Sequence, residues 1–229
     1  MCIRDSLERG PFEDFYFDIR HEISIPVGYG LGSSSAVALS LSYALDRALG
    51  TNLDRDTIGT IAHNAEVSCK TGLGDVLASY HGGFEIRMRP GAPGIGKVEK
   101  INTGPVSIIV ICFSPISTNK FIKEHLSKIN GLGGRMVNEL LKTKDCDRFQ
   151  DMSLEFAQYI NVITPRMRRV IEELSSRQIK CGVALFGETV FSMIPQQKEA
   201  EVLKVLEKYT DGMLIRSELD GIGARVLQN

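Results

Sequence analysis

Three glycines and three serines stand close together in the run Gly28-Tyr29-Gly30-Leu31-Gly32-Ser33-Ser34-Ser35. Glycines allow successive backbone N–H groups to turn toward an anion, and a following helix adds free N–H donors and a partial positive charge. Serine hydroxyls can donate to phosphate or bind a hard cation such as Mg²⁺. An N-cap serine after a flexible turn is the alternative interpretation. The density of glycine and serine favours a phosphate-binding loop, although the lysine of a Walker A motif is missing.

Two carboxylates follow this loop at positions suited to phosphoryl transfer. Glu66 lies on a predicted helix, and Asp75 follows Gly72 and Gly74 in a predicted loop. One carboxylate can orient an acceptor hydroxyl and take its proton, while another can hold a metal ion. His63 lies one helical turn before Glu66 on the same flank. Taken singly, each residue has an ordinary alternative: a solvated glutamate, an aspartate in a turn, or a histidine used in packing.

Hydrophobic periodicity places these residues on a mixture of helices and strands, and this mixture predicts an α+β fold. Strands are predicted at residues 15–27, 82–89 and 106–113, as a hairpin over 182–194, and at 212–217 and 224–227. Helices are predicted at 34–49, from Asp54 or Asp56 to Cys69, over 118–176 with breaks near Gly131–Gly134 and Pro165, and at 197–209. A boundary between Arg89 and Val106 predicts two domains, 1–100 and 101–229.

Composition excludes several functional classes. The 229 residues include 27 Lys and Arg against 28 Asp and Glu, whereas a nucleic-acid-binding protein would show a basic excess. The apolar runs are too short to span a bilayer, so we expect neither nucleic acid nor a membrane as partner. The five cysteines are dispersed and form no CxxC pair. This pattern predicts neither a disulfide framework nor a zinc site, and it favours a cytoplasmic location.

The run Pro26–Ala36 resembles the central phosphate-binding motif of the GHMP kinase superfamily. The pattern Ala62-x-x-x-Glu66, the Gly-x-Asp loop at Asp75 and the later Gly82-Gly83 pair resemble the next motif. The resemblance implies that ATP and Mg²⁺ are required, with Ser34 and Glu66 at the metal and Asp75 as the catalytic residue. It assigns the ATP phosphates to Gly30, Leu31, Gly32, Ser33, Ser34 and Ser35.

Within this superfamily, residues 71–94 and the nine-residue step from Glu66 to Asp75 are most similar to the pantoate kinase branch. That branch implies phosphorylation of pantoate to 4-phosphopantoate in coenzyme A biosynthesis, with Arg87 and His63 binding the substrate. Arginine suits the carboxylate of pantoate because its fork donates two parallel hydrogen bonds. The alternatives are a mevalonate- or homoserine-type acceptor, or a truncated nucleotide-binding module without catalysis.

The resemblance also implies the GHMP kinase fold: an N-terminal domain like ribosomal protein S5, incomplete here, followed by a ferredoxin-like domain. Members of the family have several dozen residues before the position of Phe15, so we expect an N-terminally truncated kinase. A late turn at residues 180–191 resembles the third motif of the family more weakly, and an ordinary hairpin is an equal alternative. The family further implies a homodimer, a state that the sequence does not fix.

Overall fold

The computed structural model describes residues 16–72, 74–116 and 118–227, with the side chains of 118–128, 130 and 131 left out. The helices are α1 (Ser33–Leu49), α2 (Arg55–Cys69), α3 (Asp75–His81), α4 (Thr118–Thr143), α5 (Cys146–Tyr159), α6 (Pro165–Ser176) and α7 (Glu199–Leu206). The strands are β1 (Phe84–Arg89), β2 (Lys97–Ile101), β3 (Val106–Pro115), β4 (Gly182–Ala184), β5 (Gly187–Pro195) and β6 (Met213–Glu218). A short 3₁₀ helix (Gln196–Lys198) precedes α7.

The first two helices begin and end where the sequence predicts. The α1 helix ends at Gly50, which adopts the left-handed conformation that favours glycine. The side chain of Asp54 accepts a hydrogen bond from the backbone N–H of Thr57 at 2.9 Å and caps α2. With α3, these helices enclose a small core that includes Leu39 and Tyr80. This helical layer carries most of the chemistry-bearing residues.

The strands form two antiparallel sheets. One contains β1 and β2, and the other has the strand order β4-β5-β3-β6. In the larger sheet, helices separate β3 from β4 and β5 from β6, which gives the ferredoxin-like arrangement of two crossing β–α–β units. The predictions of an α+β fold and of a ferredoxin-like second half are therefore confirmed. The predicted domain boundary stays a prediction.

The larger sheet is covered on both faces, which explains the continuous apolar run of β3. One face packs on α6 and α7, where Met167, Val170 and Leu174 are fully buried. Residues of the other face, such as Met193, join a second core with Phe84 from β1 and helices α4 and α5. The helix pair α4–α5 thus links the two sheets.

Several element predictions were wrong. The described part of the first predicted strand, residues 16–27, is not in a strand, and Phe15 lies outside the described residues. A strand needs a partner for its backbone hydrogen bonds, and no described strand pairs with this segment. Gly131–Gly134 do not interrupt α4, because tertiary contacts of Leu140 and its neighbours outweigh a glycine penalty of about 1 kcal/mol per residue. The strand β2 was not predicted.

The C-terminal residues return to the first half of the chain. The N–H of Gly83 donates to the carbonyl oxygen of Asp220 at 2.6 Å, and the N–H of Ala224 donates to that of Ser79 at 2.8 Å. Ala224 therefore bonds to α3, and residues 224–227 do not form the predicted strand. This contact fixes the position of α3 and of the Gly82-Gly83 turn relative to the rest of the molecule.

The sequence also predicts no disulfide framework and no membrane-spanning segment. Cys112, Cys146 and Cys181 are free thiols, whereas Cys69 is disulfide-bonded. In the described ranges, no helix combines the length and the apolar character that crossing a membrane requires.

Candidate active site

The glycine-rich loop has a backbone that only glycine adopts readily. Gly28, Gly30 and Gly32 have φ angles of 87°, 75° and 67°, all in the left-handed region. Gly32 is also the N-cap of α1, where no side chain makes a capping hydrogen bond and the first turn contains no acidic residue. The first N–H groups of α1 and the positive end of its dipole are therefore suited to an anion.

The three serines that open α1 differ in their surroundings. Ser33 and Ser35 are buried, and the hydroxyl of Ser35 donates to the carbonyl oxygen of Gly32 at 3.1 Å. Ser34 is half-buried at the same helix end. Ser35 thus stabilises the loop itself, which leaves the hydroxyl of Ser34 as the better candidate for a phosphate or metal contact.

The turn between β4 and β5 lies directly under the glycine-rich loop. The hydroxyl of Thr189 donates to the carbonyl oxygen of Tyr29 at 2.9 Å. A Cβ atom placed on Gly30 would lie only 3.0 Å from the backbone nitrogen of Phe186. A further bond, from the N–H of Ile116 to the carbonyl oxygen of Gly28 at 3.0 Å, joins the loop to the end of β3. The segment that resembles the third family motif therefore contacts the glycine-rich loop.

Glu66 presents a buried carboxylate with one oxygen satisfied and one not. Its side chain is on α2 and only 4% of the residue is exposed. The hydroxyl of Thr71 donates to Oε1 at 2.7 Å, whereas the buried Oε2 has no hydrogen-bond partner. A buried anionic oxygen without a donor is costly, so this position calls for a cation.

These residues fit a magnesium ion that takes only part of its coordination from the protein. No group of three or more His, Cys, Asp or Glu residues is arranged to hold a metal within the described ranges. Mg²⁺ usually takes one or two carboxylates and completes its octahedron with waters and substrate phosphates. Oε2 of Glu66 and the hydroxyl of Ser34 could supply the protein's share.

Asp75 lies beside both the glycine-rich loop and Glu66. A Cβ atom placed on Gly32 would lie 3.7 Å from Cβ of Asp75, and one placed on Gly72 would lie 3.7 Å from Oδ2 of Asp75. The prediction that Asp75 belongs to a loop was wrong, because it is the first residue of α3. A carboxylate is stabilised there by the positive end of the helix. The fold thus brings the predicted phosphate loop, metal ligand and base together.

Arg87 reaches the same region from β1. A Cβ atom placed on Gly74 would lie 2.7 Å from Cζ of Arg87, so the guanidinium rests on the backbone immediately before Asp75. Its Nη2 lies 3.5 Å from Oε1 of Glu85, and its buried Nε has no hydrogen-bond partner. Burial raises the pKa of the Glu85 carboxyl; the charge of Arg87 opposes this rise, and the charge of Asp75 adds to it.

His63 lies one turn before Glu66 on α2, as its spacing predicts. Its Nδ1 is buried and has no hydrogen-bond partner in the described part of the chain. Among the described side chains, the buried polar atoms without a hydrogen-bond partner belong to four residues: His63, Glu66, Glu85 and Arg87. Since buried polar atoms normally have partners, this concentration makes the region a candidate binding site.

Comparison with known proteins agrees with this geometry. The sequence model of the family described as GHMP kinases N terminal domain matches residues 2–83. The pantoate kinase of Methanocaldococcus jannaschii is 34% identical over 194 residues, which cover 83% of this chain and 70% of the relative. The chain belongs to the GHMP kinase family. A second relative of this GHMP kinase, the pantoate kinase of Thermococcus kodakarensis, is 31% identical over 83% of the chain and 61% of the relative.

Solved structures give the same fold for this GHMP kinase. A phosphotransferase related to the CoA biosynthesis pathway superimposes with a TM-score of 0.75 at 25% identity, over 88% of this chain and 66% of that one. The mevalonate kinase of L. major in complex with R-mevalonate gives a TM-score of 0.66 at 16% identity, over 84% and 67% of the two chains. The predicted family and the predicted GHMP kinase fold are confirmed. The chain spans between 61% and 70% of the length of the two pantoate kinases.

Sequence reasoning missed three residues of the candidate site. Glu85 stands two positions before Arg87, and the period of a strand was a signal that could have placed both side chains on one face. Thr71 and Thr189 carry no comparable signal. Their hydroxyls bond to groups that only the folded chain brings near them, Oε1 of Glu66 and the carbonyl of Tyr29.

Proposed function

We propose that this protein transfers the γ-phosphoryl group of ATP to a hydroxyl of pantoate, giving 4-phosphopantoate and ADP. The observation that carries the proposal is the position of Asp75, between the glycine-rich loop and an arginine whose Nε–H has no hydrogen-bond partner. Such a site holds the phosphates on one side and a carboxylate-bearing alcohol on the other. The names of the two pantoate kinase relatives support this acceptor.

In the proposed reaction, the acceptor oxygen forms a bond to the γ-phosphorus as the bond between that phosphorus and the β–γ bridging oxygen breaks. Asp75 orients the acceptor hydroxyl and accepts its proton, and ADP leaves with the bridging oxygen. Because phosphoryl transfer needs little covalent help, positioning and charge neutralisation account for most of the catalysis. The N–H groups of Gly30 to Ser35 and the dipole of α1 supply part of that neutralisation.

Magnesium belongs to this proposal as the ion that accompanies ATP. Glu66 and Ser34 would hold it, and when bound it would neutralise charge on the β- and γ-phosphate oxygens. The unpartnered, buried Oε2 of Glu66 supports this assignment. The family supports a cytoplasmic enzyme, and we also propose that it forms a homodimer.

The acceptor is proposed to bind through its carboxylate to Arg87, with His63 as a second contact. A guanidinium offers five N–H donors in a fixed fork, which matches a carboxylate better than it matches an uncharged alcohol. Nε of Arg87 has no protein partner, which supports a ligand at this position.

The test is an ADP-release assay with ATP and Mg²⁺ and a panel of acceptors: pantoate, mevalonate, homoserine and galactose. Pantoate is expected to give the highest kcat/KM. Asp75→Asn keeps the shape of the side chain and removes the base, so kcat is expected to fall by about 10²- to 10⁴-fold with ATP binding retained.

Asp151→Asn is the matched control, because Asp151 pairs with Lys180 on the surface of α5. It should leave turnover unchanged. Absence of turnover with pantoate would refute the proposed acceptor, and turnover with mevalonate or homoserine would reassign it. An Asp75→Asn variant with the kcat of the natural protein would refute the role of the base.

A further inference from the structure

Glu85 and Arg87 lie on the same face of β1. Residues two apart in a strand share a face, and the burial pattern of β1 puts Phe84 and Ile86 in the core on the opposite side. The face with Glu85 and Arg87 is directed toward Gly74 at the start of α3, as the close approach of Arg87 to Gly74 requires. Glu85 therefore reaches the candidate site beside the arginine.

The surroundings of Glu85 are unfavourable to a carboxylate that serves stability alone. Its side chain is only 8% exposed, and its buried Oε2 has no hydrogen-bond partner. Burial raises the pKa of Glu85, and the charge of Asp75 adds to that rise. An apolar side chain of similar volume at a site of this kind commonly stabilises a fold. The charge of Glu85 is thus retained at some cost to the folded state.

The contact of Glu85 with Arg87 is a functional reason to keep this destabilising charge. Oε1 of Glu85 lies 3.5 Å from Nη2, while Gly74 limits the guanidinium from another side. A long arginine side chain has many rotamers, and fixing one of them before the ligand arrives lowers the entropy lost on binding. The Nε donor stays unused.

We propose that Glu85 is a positioning residue for acceptor binding, which holds the guanidinium of Arg87 so that its unused Nε–H donor receives the acceptor carboxylate. The inference rests on the proposed function, because it takes Arg87 as the group that binds the acceptor. Glu85 itself does not touch the reacting atoms. Its removal should weaken acceptor binding, while the contacts of ATP with the glycine-rich loop remain.

Glu85→Met tests this inference because methionine keeps the buried volume and removes the acceptor oxygens. We expect the KM for pantoate to rise about tenfold, in keeping with the loss of one partly buried ion pair, with the KM for ATP within about twofold. Glu85→Gln keeps a neutral acceptor oxygen for Nη2, so its KM for pantoate should fall between those of the natural protein and Glu85→Met.

The matched control is Glu99→Met on the neighbouring strand. Glu99 pairs with Ile86 across the two-stranded sheet and therefore faces away from Glu85, where it forms an ion pair with Lys144. This change should leave both KM values unaltered. A general effect of replacing a glutamate in this sheet is thereby separated from the role of Glu85.

A second measurement does not depend on turnover. The {¹H}-¹⁵N NOE of Nε in Arg87, assigned with Arg87→Lys, should report a rigid side chain in the natural protein and a mobile one in Glu85→Met. Equal rigidity in both, or an unchanged KM for pantoate in Glu85→Met, would overturn the inference. Failure of the natural protein to phosphorylate pantoate would refute the proposed function, and the NOE comparison would still decide the role of Glu85.

Discussion

A methyl group added at Gly187 should displace the glycine-rich loop from the turn that supports it. Gly187 begins β5 and packs against Tyr29, the residue between two glycines of the loop. A Cβ atom added to Gly187 would lie 2.6 Å from Cα of Tyr29, with the adjoining carbonyl group of Tyr29 closer still. The φ angle of Gly187 is not in the left-handed region, so the contact itself and not backbone strain opposes alanine.

The size of the effect follows from the distance. Carbon atoms in contact are about 3.5 Å apart, so the loop must move by roughly 1 Å to admit the methyl group. The bond from Thr189 to Tyr29, now 2.9 Å, would be lost with it. A misplacement of about 1 Å can cost about 10²-fold in rate, and overpacking costs about 1–3 kcal/mol of unfolding free energy. For a chain of this size, that is a Tm lower by roughly 2–12 °C.

The ADP-release assay should therefore show kcat/KM for ATP reduced about 10²-fold in Gly187→Ala, with a smaller change in the KM for pantoate. Gly221→Ala is the control, since a Cβ atom there meets nothing within 4 Å. It should match the natural protein in rate and in Tm. A Gly187→Ala variant with lowered Tm but normal kcat/KM for ATP would refute the idea that the turn positions the loop.

Two further predictions concern Glu66 and Glu188. Glu66→Gln should raise the Mg²⁺ concentration for half-maximal rate about tenfold or more. Its Tm in EDTA should be equal to or higher than that of the natural protein, because an unpaired buried charge is removed. An unchanged Mg²⁺ titration would contradict the role of Glu66 at the metal. Burial acts to raise the pKa of Glu188, but hydrogen bonds from Thr164 and Arg166 outweigh it and lower that pKa. The ionised Glu188 therefore stabilises the folded state above the ordinary glutamate pKa of about 4.3. This stabilisation is lost as the pH falls through the lower pKa that Glu188 has in the folded protein. Thermal unfolding between about pH 5 and 3 should thus be less pH-dependent in Glu188→Gln, and parallel curves for the two proteins would count against the ion pair.

The sequence alone determined the features that depend on neighbours along the chain. The sequence identified the end of α1 at Leu49 and the start of α2 at Asp54 or Asp56, because a cap acts within one turn of its own residue. The glycine spacing from Gly28 to Gly32 identified a loop, and the positive φ angles found there are ones that glycine adopts readily. These local signals were enough to predict the α+β class and the family.

Local pattern failed where a contact partner decides the outcome. Alternating residues predicted a strand over 15–27, but the described part, 16–27, has no strand beside it to accept its hydrogen bonds. The glycines of 131–134 predicted a break, but α4 continues because its flanking residues pack on two sheets. In both cases the free energy comes from distant residues and outweighs the intrinsic preference.

The site itself depended on the tertiary structure. The sequence named Glu66, Asp75 and Arg87 singly, whereas only the fold shows Oε2 of Glu66 buried without a donor and Arg87 resting on Gly74. Thr189 and Glu85 gained their contacts with the loop and with Arg87 in the same way. Backbone preferences are encoded within a few residues, but burial, pairing and the distance between groups arise only when separate segments pack together.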